Sequence, residues 1–183
     1  FTLKGFLSTS LNDILKACHT SKGGFYNHFA SKEALLLQVL QRARRNWREK
    51  NLAGLESIPS PIDKVKRLLL NYRDRYLKDT RNMPGGCPFI MLAVELADQH
   101  ATIAKALNKG FSDLKNKIRR LLDKARQRGE IDPKVDTASV AEMLFAGMLG
   151  ASLMFGLDKS FARLDTTIDS LLAYLESLEV ATA

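Results

Sequence analysis

Three serines stand 10 or 11 residues apart near the start of the chain, each just ahead of a helix-like pattern. The stretch they punctuate, Thr9 to Leu35, reads TSLNDILKACHTSKGGFYNHFASKEAL. Ser10 offers its hydroxyl to the first free amides of a helix, and Asp13 three residues on completes a capping-box pattern. Leu11, Ile14 and Leu15 then fall on one helical face. Cys18-His19-Thr20 forms the turn. Ser21 caps a second helix from Lys22 to Phe29, anchored inward by Phe25 and Phe29, four residues apart. Ser31 caps a third helix, and Glu33 suits its positive N-terminal end. Two short helices joined by a three- or four-residue turn make a helix-turn-helix, whose second helix lies in the major groove of DNA.

Charge is distributed to match. Residues 1–50 hold nine Lys/Arg and three Asp/Glu, whereas residues 51–183 hold nineteen and seventeen. The excess of +6 in the first fifty residues, out of +8 for all 183, sits where phosphate binding would use it. Lys22, Gly23 and Gly24 lie in the first turn of the second helix, the part that meets base edges, and Asn27 one turn on could pair with adenine or simply meet a phosphate. Lys22 can donate to a guanine edge; the glycines bring backbone close to the groove. Thr9, Ser10, Ser21, Tyr26, His28 and Lys32 complete the DNA-facing set as backbone-positioning residues.

The order T-S-L-x-D-I, then S-K-G-x-F-Y-x-H-F, then S-K-E-A-L resembles the DNA-binding signature of TetR/AcrR-type bacterial transcription regulators. The matching residues are Thr9, Ser10, Leu11, Asp13 and Ile14; Ser21, Lys22, Gly23, Phe25, Tyr26, His28 and Phe29; and Ser31 to Leu35. Two places depart from the family pattern: Cys18-His19-Thr20 stands for Ala-Gly-Val, and Leu15 for a small residue. The resemblance implies phosphate contacts by Tyr26, His28 and Lys32. It also implies a homodimer on a palindromic operator, and a pocket in the larger domain whose small-molecule effector releases the DNA. The family has a full helix ahead of Phe1-Thr2-Leu3-Lys4-Gly5-Phe6. That hexapeptide reads as the tail of a helix ending at Gly5, so the N-terminus is expected to be truncated.

The remaining chain patterns as helices throughout, which predicts an all-α protein: a DNA-binding domain over 1–45 and a larger regulatory and dimerisation domain over 46–183. The boundary falls inside the third helix, expected to run to about Ala53 with Arg42, Arg44, Arg45, Arg48 and Lys50 crowding its far end. Ser60-Pro61-Ile62-Asp63 starts the next, expected to reach Lys78. Arg81 to Pro88 is a loop, 89–97 a short apolar helix, and 101–128 a long amphipathic one. Residues 139–157 are nearly all apolar. Glu142 and three glycines argue for burial rather than a membrane span, and Ala146, Gly147, Gly150 and Ala151 permit close helix approach. With the last helix, 161–178, this exceeds what a small bundle can bury, so a four-helix interface between two copies is expected.

Inward aromatic and Met residues are the pocket candidates: Trp47, Tyr72, Tyr76, Phe89, Met91, Phe111, Met143 and Met148. Cys87 joins them. At the head of a helix a thiol is shifted toward thiolate, and a Gly-Cys there resembles a subset of the family that senses electrophiles or oxidants. That makes a thiol-based repressor one alternative, and a helical interaction module with a vestigial helix-turn-helix another. Cys18 is expected in the core. Two cysteines 69 positions apart suit a reduced, cytoplasmic protein. His19, His28 and His100 lack metal-ligand spacing, and no phosphate-cradling loop or nucleophile motif occurs, so neither an enzyme nor a cofactor is expected.

Overall fold

Local capping sets most of the element starts. In the computed structural model, residues 1, 4–81 and 86–180 are described, and the elements among them are helical apart from one isolated antiparallel bridge between Ile131 and Glu179. Helices α1 (Leu11–Ala17), α2 (Lys22–Tyr26) and α3 (Lys32–Asn51) follow the three serines. Then come α4 (Pro61–Asn71), α5 (Pro88–Leu96), α6 (Ala101–Gln127), α7 (Thr137–Asp158) and α8 (Phe161–Ser177). The Ser31, Ser60 and Ser160 hydroxyls accept from the amide three residues on, and Asp136 accepts from Ala138 and Ser139. Each such cap is worth about 1 kcal/mol. Of the expected loop over 81–88, residues 82–85 lie outside the described residues, as do Thr2 and Leu3 of the expected N-terminal helix tail.

Two boundaries differ from expectation for physical reasons. α2 ends at Tyr26 rather than Phe29, because the His28 and Phe29 amides both turn back to the Phe25 carbonyl. The predicted helix over 61–78 is α-helical only to Asn71. It continues through a π-helical turn, Tyr72–Leu77, whose wider step is marked by Lys78 N–H donating to the Arg73 carbonyl. That turn directs Tyr72, Tyr76 and Leu77 all inward, with the tyrosine rings stacked 5.7 Å apart.

A continuous apolar core fills the space between α3, α4, α6, α7 and α8, with Val65, Leu68, Leu69, Leu96, Ile118, Leu122, Leu144 and Ile168 fully enclosed. Buried Asn71 donates to the Asn51 and Ala53 carbonyls and so satisfies the end of α3. Glu130, in the turn after α6, accepts from the Ser60 hydroxyl and the Ile62 amide, pinning the start of α4. Arg73 on the π-helical turn pairs with Asp165 and Asp169 on α8.

α7 is apolar around its whole circumference and long enough to cross a membrane. One face, including Val140, Leu144, Met148 and Phe155, is buried in the core. The other carries exposed Met143, Leu153, Met154 and Leu157.

Candidate nucleic-acid interface and interior cavity

The capping box on α1 is complete. Asp13 N–H donates to Ser10 Oγ at 3.1 Å, and Ser10 N–H donates to Asp13 Oδ2 at 2.8 Å. Hydrogen bonds from the Ser10 side chain and backbone hold the Asp13 carboxyl below the usual aspartate range. His19 takes a left-handed backbone, φ +48°, which sharpens the turn between α1 and α2. Ser21 Oγ accepts from Gly24 N–H at 3.0 Å. A Cβ on Gly24 would lie 2.7 Å from the Thr20 hydroxyl, which would have to turn aside; Gly23 meets nothing closer than 3.9 Å.

Phe25 faces inward, its ring 5.5 Å from that of Phe29. Ser21, Lys22, Gly23, Tyr26, Asn27 and His28 are exposed on the outer side of α2. Two residues of the expected DNA-facing set are turned the other way. Lys32 Nζ donates to the Phe6 carbonyl at 2.9 Å and the Thr9 carbonyl at 2.8 Å, and stands 4.2 Å over the Phe6 ring. Thr9 is buried and donates to the Gly5 carbonyl at 2.6 Å. A lysine with two carbonyl acceptors and a ring face within reach has its ammonium satisfied internally. Ser10 is exposed, with its hydroxyl engaged in the capping box. Cys18, expected in the core, is exposed at the C-terminal cap of α1, where only its backbone turns inward.

A second contact was not legible in the sequence. Glu95 on α5 accepts from the Phe6 amide at 2.8 Å and the Leu7 amide at 2.7 Å. Gly5 makes room for it: its φ is +78°, and a Cβ would sit 2.6 Å from the carboxylate. One carboxylate thus ties the larger helical body to the segment that leads into the helix-turn-helix.

α5 also borders a cavity of about 530 Å³ between α3, α6 and α7. Of the pocket candidates, Trp47, Tyr72, Cys87, Phe89, Phe111 and Met148 line it. Met91 and Met143 do not; both are more than one-third exposed on outer helix faces. Tyr76 packs in the core behind the cavity wall, its hydroxyl 3.6 Å from Cys87 Sγ. Sequence reasoning missed Phe145, Leu107 and Leu149, and the cations Arg44, Arg48, Lys117 and Arg120, which also line the space. Cys87 caps α5 but is fully enclosed, and burial pushes its thiol up, away from thiolate. Desolvation outweighs the helix N-terminus here, because the charged form would lose its hydration.

Residues 1–39 match the family model for bacterial regulatory proteins, tetR family, and residues 61–176 match that for the tetracyclin repressor-like C-terminal domain. The HTH-type transcriptional regulator of the lacX 3′ region of Lactococcus lactis subsp. lactis is 37% identical over 117 residues. That match covers 63% of this chain and 58% of the relative, little more than half its length. The HTH-type transcriptional repressor NemR of Escherichia coli strain K12 is 26% identical over 174 residues, covering 90% of this chain and 82% of that protein. Among solved structures, a TetR transcriptional regulator from Chloroflexus aurantiacus J-10-FL superposes with a TM-score of 0.88 at 28% identity, covering 98% of this chain and 89% of that one.

Proposed function

The chain belongs to the TetR family of bacterial regulatory proteins, and we propose that it is a dimeric repressor that binds a roughly palindromic operator and leaves it when a small molecule enters the α3–α6 cavity. The observation that carries the reading is the outer face of α2. Ser21, Lys22, Tyr26, Asn27 and His28 are exposed there, while Phe25 holds the helix from behind. Lys22 and Tyr26, one turn apart, offer a cation and a hydroxyl to neighbouring backbone phosphates or base edges. With Lys32 and Thr9 engaged internally, they serve as scaffold, and affinity rests on fewer contacts per head, doubled by the second protomer.

The dimer surface is the exposed stripe of α7, with Met143, Gly150, Met154 and Leu157, flanked on α8 by Phe161 and Tyr174. Leu157 is 73% exposed in the single chain, which a second copy would cover. We place the division between the two domains near residue 45, within α3, so that one helix serves both. The NemR and Lactococcus relatives, both named as transcriptional regulators, support the DNA-binding reading over an interaction module.

The test is a mobility-shift titration on DNA beside the chain's own gene, across salt. A reader making about six phosphate contacts should lose roughly 10³ in affinity between about 50 and 200 mM salt. Lys22→Ala with Tyr26→Ala should abolish binding while sedimentation still shows a dimer. Binding without salt dependence or promoter preference sinks the reading.

A further inference from the structure

The cavity lining combines two unlike sets of side chains. Trp47, Phe111, Phe145 and Met148 are apolar and largely aromatic. From α3 and α6 come Arg44, Arg48, Lys117 and Arg120, against a single carboxylate, Asp113. Asp113 pairs with Lys109 of its own helix. Among the described residues none of the four cations is in an ion pair. Net positive charge lining a partly enclosed space attracts anions, and does so more strongly than the same charges spread over an open surface.

Arg44 is the distinctive member. Its guanidinium lies flat against α6 at Gly110, where a Cβ would stand 3.4 Å from Nη2. Nη2 donates to the Ala106 carbonyl, and Nε is buried with no acceptor in the protein. Buried charged donors are normally all satisfied, so Nε is left over as a donor that a ligand oxygen completes once the guanidinium tips away from Gly110. The guanidinium edge formed by Nε and Nη2 matches a carboxylate held by two parallel hydrogen bonds.

Resting on the reading of this cavity as the effector site, we propose that the effector is an organic carboxylate with an aromatic body. Its ring packs among Trp47, Phe111 and Phe145, and its carboxylate takes the Arg44 fork. Arg48, Lys117 and Arg120 supply the surrounding field. Nη2 carries two N–H groups and gives one to the Ala106 carbonyl, so a carboxylate taken by Nε and the other Nη2 hydrogen adds to the tie between α3 and α6 at Arg44. Arg44 belongs to the helix that starts at the helix-turn-helix, which links ligand binding to the reading head.

The chain's single tryptophan, Trp47, reports on occupancy directly. The probes are hydrocinnamate, hydrocinnamyl alcohol and hydrocinnamylamine, which share one body and differ only in head group. Hydrocinnamate should quench Trp47 saturably and bind at least about tenfold tighter than the alcohol, with the amine weakest. Arg44→Gln should erase that preference by weakening hydrocinnamate at least about tenfold. If Arg44→Gln fails to fold, the paired Arg48→Gln and Lys117→Gln variant should narrow the preference instead. Equal binding of acid and alcohol, tighter binding of the amine, or no quenching by hydrocinnamate up to about 10 mM overturns the proposal. Operator release is read separately by mobility shift. Acid-selective quenching without release preserves the anion site and refutes the effector reading; release by the alcohol alone does the reverse.

Discussion

The reading head and the helical body are held together by different physics. In the body, whole helix faces disappear into one apolar core, and Leu68, Leu69, Ile118 and Leu122 have no exposed surface. In the head, α1 has no fully buried residue, and Leu11, Ile14 and Leu15 are only half covered. Much of what fixes the head is polar: three serine caps, one of them a capping box, a left-handed turn, the Lys32 ammonium on two carbonyls and the Glu95 carboxylate on two amides, around the buried Phe6 and Phe25 rings. Apolar burial is non-directional and hard to adjust in small steps, whereas a few directed hydrogen bonds can be made or broken one at a time. The body keeps a cavity inside an apolar shell, while the head is set by contacts that can be exchanged singly.

The largest expected effect lies in the body. Leu68→Ala should cost about 2–5 kcal/mol and lower the melting temperature by roughly 5–15 °C; a smaller loss would mean the core around α4 collapses onto the gap. Next is the tie between the regions. Glu95→Ala removes a charged acceptor shared by two amides and should loosen the Phe6–Leu7 segment by about 1–3 kcal/mol, seen as faster amide exchange at those two positions with little change in global melting. Unchanged protection there would break the picture of a clamped head. Ser21→Ala should cost about 1 kcal/mol, confined to α2. Acid should act on α1 in the same local way. The Asp13 carboxyl titrates below its unfolded range, so its contribution is present at neutral pH and is lost as pH falls through the acidic range. Amide exchange in α1 measured at two pH values checks this. The smallest effect is chemical rather than energetic. An alkylating reagent should label exposed Cys18 well before enclosed Cys87; the reverse order would return Cys87 to the role of a thiolate sensor.

Features set by neighbours in the chain were legible in the sequence. Ser10, Ser21, Ser31 and Ser60 announce helix starts because a cap reaches only three residues ahead. His19 stands where the resembled pattern has glycine, and it takes the left-handed backbone of that turn. The aromatic wall was legible through helical spacing, since Trp47, Phe89 and Phe111 fall on inward faces of their own helices. Met91 and Met143 share that apolar character but sit on the outer side, a choice decided by which helix packs opposite. Arg44, Arg48, Lys117 and Arg120 read as a solvated basic face until α3 and α6 are laid side by side. Lys32 and Thr9 match a DNA-contacting pattern, yet the carbonyls that engage them arrive from the Gly5–Thr9 segment. Glu95 reaches across 88 and 89 residues to find its partners, a separation at which spacing carries no information.

α3 is a single uninterrupted helix with its two ends in different surroundings. From Arg44 back to Lys32 is twelve residues, about 18 Å of rigid rod. Pivoted at the Arg44–Ala106 contact, that rod behaves as a lever arm: a tilt of about 5° carries its free end by roughly 1.5 Å. In the dimer we propose, the displacement doubles to about 3 Å against successive major grooves that recur every ~34 Å. That mismatch is comparable to a hydrogen bond's length, so a rotation too small to disturb the core is enough to put both heads out of step with the groove at once.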